Sequence, residues 1–221
     1  MDKRFLAGIV GAAIVLALAF FMFAEDGPSN GAQPSGGTSA ALLEAGPQGD
    51  TVLGQDDAPI TVIEYASMTC SHCATFHTGT FPEVEENYIK TGKVRFILRD
   101  YPFDPIATAG AMLARCAGQE RYFNFVSVLM DQQRKWAFVE EPLEALKGIA
   151  RQGGFSEESY EACLANQDIF EHVRWVQTRA SDEFGVRSTP TFFVNGEKVE
   201  GALSFNEFEA ILKKHLGEAA E

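Results

Sequence analysis

Cys70-Ser71-His72-Cys73 is the group of residues in this chain whose types and spacing point most directly to chemistry. Two cysteines separated by two residues can close a small disulfide ring with each other. The pair follows an apolar run, Ile60 to Ala66, and stands where a helix is expected to begin. A cysteine at a helix N-terminus faces unpaired backbone N–H groups and the positive end of the helix dipole. Both stabilise the thiolate, the form of sulfur that attacks disulfides. A histidine inside the pair adds a charge or a hydrogen bond. The chemistry to which these residues point is thiol–disulfide exchange.

The elements that must position the pair can be read from hydrophobic periodicity. Ile60-Thr61-Val62-Ile63-Glu64-Tyr65-Ala66 reads as a buried strand, and Val94, Phe96 and Leu98 mark a second. A helix from Cys70 to about Tyr88 lies between them, so a right-handed βαβ unit is predicted. Residues 104–184 read as mostly helical. Pro142 suits an early helical position, Leu143, Leu146 and Ile149 follow at three-residue steps, and Gly153-Gly154 ends that element. Ser156 with Glu157 and Glu158 starts another helix. Ile169, Val173, Val176, Ala180 and Phe184 mark a long amphipathic helix that stops at Gly185. Thr191-Phe192-Phe193-Val194 and Lys198-Val199-Glu200 flank Asn195-Gly196, a strong hairpin signal. Ser204 with Glu207 has the pattern of a capping box for a last helix bearing Phe205, Phe208, Ile211 and Leu212. The order is βαβ, a helical block, then ββα: an α/β, thioredoxin-like fold with an inserted helical subdomain.

Three features carry a resemblance to the DsbA-like branch of the thioredoxin superfamily. Glu64-Tyr-Ala-Ser-Met-Thr-Cys70-Ser-His-Cys73 looks like the strand that runs into the active-site helix. Ser188-Thr189-Pro190-Thr191-Phe192-Phe193-Val194-Asn195-Gly196 looks like the cis-proline segment and its hairpin. The 116 residues between Cys73 and Pro190 leave room for the family's helical insertion. The resemblance covers about Thr51 to Leu216. It implies that Cys70 is the exposed nucleophile and Cys73 its shielded partner. It also implies that His72 stabilises the Cys70 thiolate and that Glu64, six residues before Cys70, is a buried acid placed to relay the proton of Cys73. Pro190 is expected to be cis, with Thr189 beside the disulfide where an extended substrate pairs. Cys116 and Cys163 are expected to form a structural bridge like the second one of some DsbA-like proteins, two buried free thiols being the alternative. No metal or cofactor is implied. Ser71 stands where DsbA has Pro, which leaves the oxidising strength open, and Thr189 keeps an isomerase reading alive. His77, His172 and His215 are read as unremarkable.

The ends and the charge set the context. Phe5 to Ala24 is an uncharged apolar run of 20 residues behind Lys3 and Arg4. As a helix it spans about 30 Å, the thickness of a bilayer's hydrocarbon core, and Met22-Phe23-Ala24 is a poor cleavage site. Residues 1–24 therefore read as an apolar helix that serves as a signal anchor, with a removed signal peptide as the alternative. Residues 25–49, rich in Gly, Pro, Ser, Ala and Gln, read as a flexible linker, and 50–217 as the DsbA-like domain. The positive flank stays in the cytoplasm, so the domain is placed in the periplasm, tethered to the inner membrane. Four cysteines, an even number, suit two disulfides in an exported protein. A net charge of −13 argues against nucleic acid as a partner. The expected substrates are reduced secreted proteins, and the reoxidant a DsbB-like membrane quinone reductase. An isomerase or reductase kept reduced by a DsbD-like partner is the alternative activity, and a redox-inactive chaperone the alternative class. Isomerases of this superfamily oligomerise through an added N-terminal segment, and here that segment reads as anchor plus tether, so a monomer is expected.

Overall fold

The computed structural model describes residues 40–218. Residues 5–24 and most of the expected linker lie outside the described residues. Five strands form one sheet: β1 (Thr51–Leu53), β2 (Ile60–Ala66), β3 (Val94–Asp100), β4 (Thr191–Val194) and β5 (Glu197–Glu200), in the order β1-β3-β2-β4-β5. β2 and β3 run parallel, with Glu64 opposite Leu98, and the other pairings are antiparallel. The predicted βαβ and ββα units are both present. β1 has no counterpart in the sequence reading, because three residues are too few to show a period.

The parallel pair is joined by one helical rod, α1. Ser71–Thr75 and Phe81–Val84 are α-helical, while Phe76–Thr80 and Glu85–Ile89 are wound as π-helix. Between β3 and β4 come α2 (Pro105–Cys116), α3 (Tyr122–Asp131), α4 (Gln133–Trp136), α5 (Pro142–Gln152), α6 (Glu157–Leu164) and α7 (Gln167–Asp182). This is the predicted helical insertion. Asp104 caps α2 by accepting from the Ala107 N–H, and Ser156 caps α6 in the same way. The last helix, α8 (Phe205–Leu216), starts from the Ser204/Glu207 capping box. Asn195 and Gly196 both take positive φ, 45° and 91°, as a tight hairpin requires. The Asn195 side chain also accepts from the Thr61 N–H at 2.8 Å, tying the hairpin to β2.

Alternation along β2 sorts its side chains to two faces. Val62, Glu64 and Ala66 face α1 and α8, where the rings of Phe76, Phe192 and Phe208 stack 4.7–5.4 Å apart. Ile63 and Tyr65 face a second core with Leu42, Ile97, Val176 and Phe193.

Leu42 belongs to the segment read as linker, so the boundary at 49 is corrected. Residues 40–43 form a helical turn, and Leu42 is 2% exposed. Two buried arginines hold the stretch by its backbone. Arg99 donates to the carbonyls of Leu42 (2.8 Å) and Glu44 (3.1 Å) and makes a two-pronged pair with Asp50. Arg179 donates to the carbonyls of Ala41 (2.7 Å) and Glu44 (3.0 Å). His172, read as unremarkable, accepts from the Gln48 N–H at 3.1 Å, and burial lowers its pKa to about 4. Composition could not show this docking, because the anchors lie 49 or more residues away.

Candidate active site

Cys70 is the N-cap of α1, in extended conformation (φ −79°, ψ 118°). The sharp exit from β2 is made by the Cys70 N–H donating to the Ser67 carbonyl at 3.0 Å. Thr69 donates its hydroxyl to Asp104 at 2.6 Å, so the residue that caps α2 also holds this loop. Cys70 is half-buried and Cys73, one turn on, is fully buried; both are free thiols in this structure. As a thiol, Cys70 donates to the Thr189 carbonyl at 3.3 Å. The Thr189-Pro190 peptide bond is cis.

The environments of the two sulfurs drive them apart. The Cys70 pKa falls from 9.0 to about 5. The largest cause is the hydrogen bond that the Cys73 thiol donates, and burial opposes it. The Thr189 hydroxyl and the backbone N–H groups of Cys73 and His72 add to the lowering. That hydroxyl is buried and, among the described residues, makes no hydrogen bond while Cys70 is a thiol, so it is free to turn to the thiolate. Cys73 moves the other way, well above the ordinary thiol value. Burial is the main cause, followed by its bond to Cys70 and the nearby Glu64 carboxylate. His72 is exposed, and its contribution to the sulfur comes through its backbone N–H.

Glu64 is completely buried in the middle of the sheet. Its Oε2 lies 2.9 Å from His77 Nε2, with the two side chains 0% and 1% exposed. His77 sits four residues after Cys73 on the same side of α1, and the rings of Phe76 and Phe81 pack against it. His77, read from the sequence as unremarkable, is one half of this buried pair. Its signal was the i, i+4 spacing from Cys73, which gains meaning only once Glu64 is seen to face the same side. Among the described residues, Glu64 Oε1 and His77 Nδ1 have no hydrogen-bond partner. Cys116 and Cys163 are joined by a disulfide, linking the end of α2 to α6. Gln133, unnoticed in the sequence, reaches the Cys70 loop from α4.

A family model for thioredoxin matches residues 47–214. Alpha-DsbA1 of Wolbachia pipientis superposes with a TM-score of 0.75 at 32% identity, covering 81% of this chain and 96% of its own. The chain belongs to the thioredoxin family, in its DsbA-like branch. Two further relatives of this DsbA-like protein carry informative names. A putative protein-disulfide oxidoreductase of Rickettsia bellii is 35% identical over 177 residues, 78% of this chain and 66% of the relative. Disulfide bond formation protein D of Bacillus subtilis is 23% identical over 191 residues, 81% of this chain and 83% of the relative. The chain spans just under two thirds of the length of the Rickettsia bellii protein.

Proposed function

We propose that this DsbA-like protein is a thiol:disulfide oxidoreductase that introduces disulfides into reduced secreted proteins. The observation that carries this reading is the split between the two sulfurs. The thiolate of Cys70 is stabilised at a half-exposed helix N-terminus while Cys73 is buried and held neutral. A stabilised thiolate is a good leaving group, so a Cys70–Cys73 disulfide passes readily to a substrate.

The steps follow from that split. A substrate thiolate attacks Cys70 Sγ, the Cys70–Cys73 bond breaks, and Cys73 leaves with the electron pair. Its sulfur, buried beside Glu64, takes a proton, and the Glu64–His77 pair supplies it. Thr189 and Pro190 lie alongside the mixed disulfide and pair with the extended substrate. A second substrate thiolate then attacks the substrate sulfur and releases Cys70 as a thiolate. The substrate is left oxidised and the enzyme reduced. A DsbB-like membrane quinone reductase removes the two electrons and restores the disulfide. Residues 5–24 hold the protein, as a monomer, on the periplasmic side of the inner membrane. Among the described residues no helix is long and apolar enough to cross a membrane.

The test is the reduction potential of Cys70–Cys73, measured against glutathione buffers. A value near about −120 mV, as for DsbA, supports the oxidase. A value near about −270 mV, as for thioredoxin, replaces it with a reductase.

A further inference from the structure

Gln133 lies on α4, a single turn within the helical insertion, yet its side chain points at the catalytic loop. It is 3% exposed. Its one amide nitrogen, Nε2, donates both hydrogens, to the Met68 carbonyl at 2.9 Å and to the Cys70 carbonyl at 3.0 Å. The bonds bridge 65 and 63 residues of sequence. Burying a primary amide is costly unless its hydrogens are used, and here both are.

The Cys70 carbonyl has two lone pairs and two donors. The Ala74 N–H, at 3.1 Å, closes the first turn of α1 on it, and Gln133 takes the other position. The same side chain fixes the peptide two residues earlier, at Met68. The direction in which Cys70 enters the helix is thereby set on both sides of the residue. That direction decides whether the backbone N–H groups of His72 and Cys73 point at Sγ. The donors also offset two carbonyl dipoles that stand in the loop carrying the thiolate.

We propose that Gln133 is a positioning residue for the nucleophile, through which the helical insertion sets the reactivity of Cys70. The proposal rests on the reading of Cys70 as the attacking sulfur. It gives the insertion a part in the chemistry as well as in shape. The ionisable groups around the loop are untouched by a change at 133: Glu64 on β2, His72 on α1, and Asp131, Arg134 and Lys135, which line a hollow shared with Ser71 and Ala74.

The variant Gln133→Met keeps length and removes both donors. It is measured in the full chain, solubilised in mild detergent, by thiolate absorbance against pH, by equilibrium with glutathione, and by thermal unfolding of the oxidised form. The expected result is a rise of one pH unit or more in the Cys70 titration midpoint. The glutathione equilibrium moves tenfold or more toward the enzyme disulfide, and the oxidised form still unfolds cooperatively. A lower melting temperature with midpoint and equilibrium unchanged overturns the proposal and leaves Gln133 a structural residue. If Gln133→Met does not fold, Gln133→Leu takes its place. It too removes both donors and adds no charge, so the same rise is expected, and an unchanged midpoint overturns the proposal equally. A wild type that lacks the low titration refutes the reading of Cys70 itself; a low titration shared by wild type and variant refutes only the part given to Gln133.

Discussion

Reducing the Cys70–Cys73 disulfide creates one group, the Cys70 thiolate, whose ionisation differs strongly between the folded and unfolded chain. Its pKa is about 5 when folded and near the ordinary 9.0 when unfolded. Between these values the unfolded chain binds more protons than the folded one, so the stability of the reduced protein rises with pH. The contribution is complete above about pH 9 and is lost as pH falls through about 5. From pH 5 to pH 8 full linkage amounts to about 3.5 kcal/mol, at about 1.4 kcal/mol per pH unit. The sulfur is half-exposed, and solvent screening reduces this to about 2 kcal/mol. Other groups titrate in both redox forms and cancel in the difference between them. Cys73, displaced upward, stays neutral throughout this window. Urea unfolding of the reduced and oxidised proteins at pH 5, 6, 7 and 8 gives that difference directly. It should grow by about 2 kcal/mol in favour of the reduced form, and Cys70→Ser, compared with the reduced wild type over the same pH range, should lack that gain. A difference that stays flat with pH refutes the stabilised thiolate and the oxidising power argued from it.

Glu64→Gln should slow exchange at neutral pH by about tenfold or more while the fold stays intact. His77→Gln keeps an N–H for Glu64 but carries no exchangeable charge, so it should slow exchange similarly; stopped-flow rates unchanged across the pH range in both variants would remove the relay. Replacing Cys116 and Cys163 together by Ala should cost about 4 kcal/mol of stability, the chain-entropy value for a separation of 47 residues. Denaturant curves check this, with the exchange rate expected to hold. Leu42→Ala should cost about 2–3 kcal/mol, although composition places it in a linker. A melting temperature identical to that of the wild type would show that residues 40–49 do not contribute to the domain's stability.

The sequence by itself determined the order of elements. Periodicity is local, so the strands at 60–66 and 94–100, the hairpin at Asn195-Gly196, the capped helices and the amphipathic 167–182 stretch were legible within short windows. The two cysteines were legible for the same reason, since their spacing and the helix start are adjacent in the chain. Thr189 and Pro190 were legible only through resemblance, because nothing local says that they lie across from Cys70. The tertiary structure alone decided what is contributed from a distance. His77 gains its place from Glu64 on a different element. Gln133 sits in a polar run, Asp131-Gln132-Gln133, whose pattern does not tell an inward amide from a solvated one. Leu42 and its neighbours look like a linker until Arg99 and Arg179 bind their carbonyls. A buried polar group is stable only where a partner meets it. For these residues the partner lies 13 to 138 positions away, and folding alone brings the two together.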